Sequence, residues 1–421
     1  MSHATRVFSF TSLLVMMLVF SAVAGADEVA PVPFETTLDT VCEHDDGKFL
    51  WFHPRAATVP GKGAEGNPAI IMTLQKHLQV SDFYSGLYEL RSNDLGKTWT
   101  GPTEIPELAW REGPKDSILA VCDVTPGYHP GSGKVLAVGA QLLYLADGSL
   151  LDGVDRADQT AYAVYDPDSG KWSGWNILEM PADPKFNFSR SACAQWVIEA
   201  NGDPLLPLYF GPNAREDFSV TVARCSFDGT TLKYIEHGTE MKVDGGRGLC
   251  EPSLIRFKER YYLTLRNDAR GYVTSGTDGL HFDPIIPWEF DDGTELGSYN
   301  TQQHWLVHND GLFLVYTRRG ANNDHVFRHR APLFMAQVNP QTLKVIRSTE
   351  RILIPERGAT LGNFGATPVT EQESWVTVNE GIWDDGIRAR GAKGALYVAR
   401  VKWAAPTAAA PSPAQPGDAS R

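Results

Sequence analysis

The chain is poor in cysteine, shows no helix-length amphipathic stretch in its central part, and has no excess of basic residues. Each shortage narrows what it can be. Five cysteines occur in 421 residues (Cys42, Cys122, Cys193, Cys225 and Cys250), and none stands in a C-x-x-C spacing. That spacing gives no support to a thioredoxin-type redox centre or a cysteine-rich zinc site, and buried small apolar side chains are the simpler reading for most of the five. The odd number leaves at least one thiol unpaired even where disulfides form. The histidines show no metal-ligand spacing, so neither a metal nor another cofactor is expected. Lys and Arg total 38 against 51 Asp and Glu, a formal charge of −13. Such a field repels nucleic acid and anionic membrane, so an anionic ligand would need a local cluster of arginines.

What is present points outward and to strands. Arg6 followed by the apolar run 7–24 and by Ala24-Gly25-Ala26 reads as a secretory signal over residues 1–26, cleaved before Asp27. No cysteine follows the run closely, which argues against a lipid anchor. The mature chain is therefore expected to be secreted or periplasmic, with no membrane attachment after cleavage. Residues 27–37 form a polar, proline-containing lead, and residues 404–421 are rich in Ala, Pro and Ser and read as a disordered tail. Residues 38–403 read as one domain. Its 39 glycines, 27 prolines, 11 tryptophans and 14 tyrosines suit many short strands joined by turns.

Ser92-Asn93-Asp94-Leu95-Gly96-Lys97-Thr98-Trp99 spells the Ser-x-Asp-x-Gly-x-Thr-Trp pattern known as the Asp-box. Asp and Ser can bond backbone N–H groups in a tight turn, Gly permits a positive φ, and Trp packs into the sheet. Degenerate copies follow at Asp166–Trp172, Ser226–Gly229 and Ser275–Phe282, interleaved with apolar hairpins. Their recurrence predicts an all-β fold of six four-stranded blades, a six-bladed β-propeller. First strands are expected at residues 52–59, 119–124, 191–198, 250–257, 301–307 and 364–369, with ligands at one end of the central funnel.

An ordered set of segments across nearly the whole mature chain resembles the sialidase (neuraminidase) superfamily. His53-Pro54-Arg55-Ala56-Ala57-Thr58-Val59 is similar to the segment holding the first arginine of that family's triad. Ser81-Asp82-Phe83-Tyr84, ahead of the Asp-box, resembles the segment of its acid/base aspartate. Cys250-Glu251-Pro252-Ser253-Leu254 with Tyr261–Arg266 resembles the hairpin of its glutamate and second arginine, and Arg330-Ala331-Pro332-Leu333 the segment of the third. The resemblance implies Arg55, Arg266 and Arg330 as carboxylate binders, Asp82 as acid/base, and Glu251 as activator or nucleophile. Three convergent guanidiniums can fix a sugar carboxylate by charge-assisted bidentate hydrogen bonds. Asp82 would need a raised pKa to hold a proton near neutrality.

The chain departs from the family where the nucleophilic tyrosine is expected. The segment reads Thr360-Leu361-Gly362-Asn363-Phe364-Gly365, and no tyrosine occurs between Tyr316 and Tyr397. Tyr299 is one candidate to reach the axis instead. The resemblance implies an exo-acting glycoside hydrolase for a terminal sialic or uronic acid, with a glycan as partner. A non-catalytic carbohydrate-binding propeller, a propeller polysaccharide lyase and a protein-interaction platform are the alternatives left open.

Overall fold

A computed structural model of the chain describes residues 29–151, 158–213 and 217–404. The expected leader 1–26 and all of the tail except Ala404 lie outside the described residues. Six separate antiparallel sheets succeed one another along the chain and form a six-bladed β-propeller. In the first blade the strands run outward from the axis as Leu50–Val59, Ala69–His77, Tyr84–Ser92 and Thr100–Glu104. The later inner strands are Ile118–His129, the broken pair Phe188–Arg190 and Val197–Ile198, then Cys250–Phe257, His304–His308 and Gly365–Thr370. All six overlap the first strands expected from sequence.

Second strands are covered on both faces by neighbouring blades, so they read as continuous apolar runs rather than alternating ones. Pro204–Gly211 and Gly311–Tyr316 are buried at every position. The core is accordingly a ring of apolar layers between sheets: Leu136 and Val138 of the second blade interlock with Leu206 and Leu208 of the third. Burying a Leu or Val side chain contributes about 1.5–3 kcal/mol, so these layers supply the main stabilisation of the ring.

The ring closes with a strand the sequence did not announce. Phe34–Glu43 pairs antiparallel with Ala395–Trp403, from Phe34 opposite Trp403 to Glu43 opposite Ala395. The expected lead 27–37 therefore ends inside the sixth blade. Its burial pattern is mostly exposed, as befits an outermost strand, and this is why hydrophobic patterning missed it.

The Asp-box residues form the turn between the third and fourth strands of the first blade. Ser92 Oγ accepts from Gly96 N at 2.7 Å, and Asp94 accepts from Thr98 N at 2.9 Å and from Thr98 Oγ1 at 2.6 Å. Gly96 has φ +72°, and a Cβ there would stand 2.8 Å from both Arg400 and Trp375 of the sixth blade. Trp99 also packs towards Trp375, centroids 6.0 Å apart, so this turn ties the first blade to the last. The copies at Asp166, Asp228 and Asp278 occupy the same place after the third strand of blades two, three and four. Each accepts from backbone N–H groups of its own turn.

Candidate functional site

One end of the axis opens into a cavity of about 610 Å³ lined from several blades. Its polar lining follows from a recurrent break in the inner strands. His53, Asp123, Cys193, Glu251 and Asn300, one from each of the first five blades, have φ of +56°, +55°, +52°, +42° and +50°. Ladder pairing slips beside three of them, between Phe52 and Arg55, between Cys122 and Thr125, and between Cys250 and Ser253. A bulge re-aims a side chain, and left-handed backbone in non-glycine residues is retained where surrounding structure enforces it. All five side chains line the cavity. Periodicity cannot reveal such breaks, so His53, Asp123 and Cys193 were missed; the weak sequence cue was a polar residue inside the first, second and fourth expected first strands, at His53, Asp123 and Glu251.

The structure brings four of the five expected site residues to this cavity: Asp82, Glu251, Arg266 and Arg330. Arg266 forms an ion pair with Glu251 across the inner hairpin of the fourth blade and donates to Asn300 Oδ1 at 2.6 Å. Arg330 donates to the main-chain oxygen of the same Asn300 at 2.5 Å. Asn300 thus holds the two guanidiniums side by side. Gly362 makes room for this, since a Cβ there would stand 2.5 Å from Arg330 Cδ.

Charge at the cavity is unevenly satisfied. Arg190 pairs with Asp158 at 2.7 Å, and Arg247 with Asp268 at 2.8 Å. Among the described residues, Arg328 and Arg330 are the cavity arginines with no carboxylate ion pair. Burial, reinforced by the positive charges of Arg266 and Arg328, pushes the Arg330 pKa down to about 10. Burial alone would also depress Arg266, but the Glu251 carboxylate outweighs it and raises its pKa. Arg330 therefore offers an anion a buried guanidinium that no carboxylate ion-pairs among the described residues.

Asp82 sits at the rim in left-handed backbone, φ +58°, with its main-chain oxygen held by Tyr144 Oη at 2.8 Å. Arg55 is not brought to the others. It lies 1% exposed beneath the cavity, outside its lining, and donates to Gln302 Oε1 at 3.5 Å. Its charge acts on Asp123: burial would raise that carboxyl, but His53 and Arg55 override it and hold the pKa well below the usual range.

Phe364 is fully buried, and Tyr299 bonds His329 Nδ1 at 2.5 Å without entering the cavity lining. The phenols that do line it are Tyr84 and Tyr209, from the first and third blades. Burial keeps both protonated, with pKa values above the ordinary phenol. Among the described residues, one donor set could hold a metal: single donor atoms of His53, Asp123 and Cys193 lie within 4.8 Å of one another. Sequence spacing gave no hint of it, because its members come from three blades.

No protein-family model matches the chain, and no curated protein matches it in sequence. Solved structures match in shape. A Dyadobacter fermentans protein of unknown function shares 15% identity over 87% of this chain and 99% of its own, with a TM-score of 0.61. The Hadza microbial sialidase Hz136 shares 13% identity over 87% of this chain and 68% of its own, TM-score 0.60. A Trypanosoma rangeli sialidase solved with sialic acid shares 12% identity, TM-score 0.56; the match covers 89% of this chain and 59% of the trypanosomal one. At these identities the likeness is one of fold, a sialidase-like six-bladed propeller.

Proposed function

We propose that the chain is an exo-acting glycoside hydrolase for a terminal sugar bearing a carboxylate, a sialic or uronic acid. The observation that carries this reading is the pair Arg266 and Arg330, held side by side on Asn300 with Arg330 lacking an acidic partner. A sugar carboxylate placed there would accept charge-assisted hydrogen bonds from the Arg330 guanidinium. Asp82 at the rim would protonate the leaving oxygen. Glu251, already engaged by Arg266, is better suited to polarising an attacking water than to attacking itself. A water nucleophile accommodates the absence of a tyrosine at Phe364. The sialidase neighbours support the reading at the level of fold.

The test is turnover of sialosides and uronides with reducing-end detection. Hydrolysis of a carboxylated glycoside, abolished in Asp82→Asn while calorimetric binding persists, is the expected result. Binding without product from any of them would favour the carbohydrate-binding alternative, and neither binding nor product would overturn both. We further propose that the chain is exported, from Arg6, the apolar run and the small residues before Asp27. Intact mass of the processed protein tests this: a first residue at Asp27 supports it, and retention of Met1 in a secreting host sinks it.

A further inference from the structure

We propose that His53, Asp123 and Cys193 form a binding site for one zinc-class divalent ion on the wall of the axial cavity. The three residues come from three consecutive blades, and each occupies a left-handed break in its inner strand. The backbone of each is thus held in a rarely populated conformation, and the three breaks converge on one point. The donor atoms, one nitrogen, one oxygen and one sulfur, lie within 4.8 Å of one another.

Two of them already meet as an ion pair. His53 Nε2 stands 2.8 Å from Asp123 Oδ1, and the Asp123 carboxylate also meets the Cys193 thiol, so all three side chains are already in mutual contact. In the metal-free chain this contact holds the imidazole and the carboxylate together at the place where an entering ion would replace it. Asp123 is further fixed from behind, its N–H donating to Gln75 Oε1 at 3.1 Å, and Gln75 is itself buried and bonded to Ser85 O at 2.7 Å. The scaffold of the site is therefore rigid before any ion arrives.

The donor set also selects the ion. A thiolate and an imidazole suit zinc and its softer neighbours, whereas magnesium and calcium require mainly oxygen ligands. Binding exchanges the Cys193 thiol proton for the ion and releases that proton to solvent. Thiolate and carboxylate together then cancel the two positive charges, which matters because Arg55 lies close beneath. That guanidinium opposes any cation not neutralised by its ligands, a second reason for a thiolate-binding metal. With three protein ligands and an open cavity in front, the fourth position is left for water or a ligand atom.

This inference does not depend on the hydrolase reading, because it is read by spectroscopy and calorimetry without turnover. Full-length protein stripped with a chelator is titrated with Co²⁺ and, separately, with Zn²⁺. Expected are one ion per chain and a thiolate-to-cobalt charge-transfer band. That band is lost in Cys193→Ser and kept in Cys225→Ser, with zinc affinity at least about tenfold weaker in Cys193→Ser and in His53→Ala. Unchanged thermal unfolding of the metal-free variants, or the intact band in Cys225→Ser where it shifts, separates ligand loss from misfolding. No saturable binding overturns the proposal, as does a cobalt complex without a thiolate band or one indifferent to Cys193→Ser.

Discussion

His304 Nε2 meets the main-chain oxygen of Phe364 at 3.0 Å, and its ring stands edge-on to the Phe364 ring with centroids 5.0 Å apart. The segment that resembles the sialidase nucleophile region therefore presents a carbonyl to a histidine and an apolar ring to the core. Gln302 Nε2 donates to the same carbonyl at 2.6 Å.

Restoring the missing hydroxyl should accordingly fail. Phe364→Tyr places a phenol oxygen among fully packed atoms, and overpacking or an unsatisfied buried hydroxyl costs about 1–3 kcal/mol. Denaturant unfolding should show a loss of that order, with no gain in sialoside turnover. A rise in turnover would show that the ring can swing into the cavity.

His304 makes stability depend on pH. Burial, then the Arg55 charge, push its pKa down to about 3, against a partial rise from the Phe364 carbonyl. Its ordinary value is 6.5. The unfolded chain thus binds a proton between these values that the folded chain refuses. Stability contributed by the neutral ring is complete above about pH 6.5 and falls as pH drops towards 3, with a slope approaching ~1.4 kcal/mol per unit. The stability difference between wild type and His304→Gln should narrow over that window; a constant difference would contradict a buried neutral imidazole.

Arg330 should discriminate ligands by charge. Arg330→Gln removes one or two charge-assisted hydrogen bonds, about 1.5–3 kcal/mol each, so affinity for a carboxylated sugar should fall at least tenfold. Arg330→Lys should recover little, because an ammonium cannot reproduce the planar fork. Binding of the corresponding neutral sugar should hardly change. Calorimetry with a sugar acid and its amide reads both.

All five cysteines are free, and four are buried. Burial pushes Cys42 to about 11 and Cys225 to about 12, which suppresses the reactive thiolate. The chain in denaturant should yield five thiol equivalents, while the native protein reacts slowly and first at half-buried Cys42. A count below five after denaturation would reveal a disulfide.

The propeller was legible because its signals are local. Asp94, Asp166, Asp228 and Asp278 announce turns by the chemistry of a few adjacent residues, and the second strands announce themselves by unbroken apolar runs. Arg266, Glu251 and Arg330 were found through segment resemblance and do share a cavity. Arg55 shows the limit of such matching: the left-handed break at His53 and the ladder slip beside it turn His53 into the cavity and leave Arg55 outside its lining. His53, Asp123 and Cys193 stayed hidden for a different reason. Their proximity is a property of the closed ring, and no stretch of sequence contains more than one of them.

The pairing of Phe34–Glu43 with Ala395–Trp403 also fixes an order of events during synthesis. The first of the described strands has no partner until the last of them is complete. At ~5–20 residues per second, that leaves an unpaired strand waiting for tens of seconds beside growing blades. Five blades can pack in sequence meanwhile, but the sixth cannot, and closing so long a loop carries an entropic cost met only at the end. The nascent protein is thus an open arc whose two ends are its most association-prone edges. Until Ala395–Trp403 is in place, Phe34–Glu43 keeps an open strand edge.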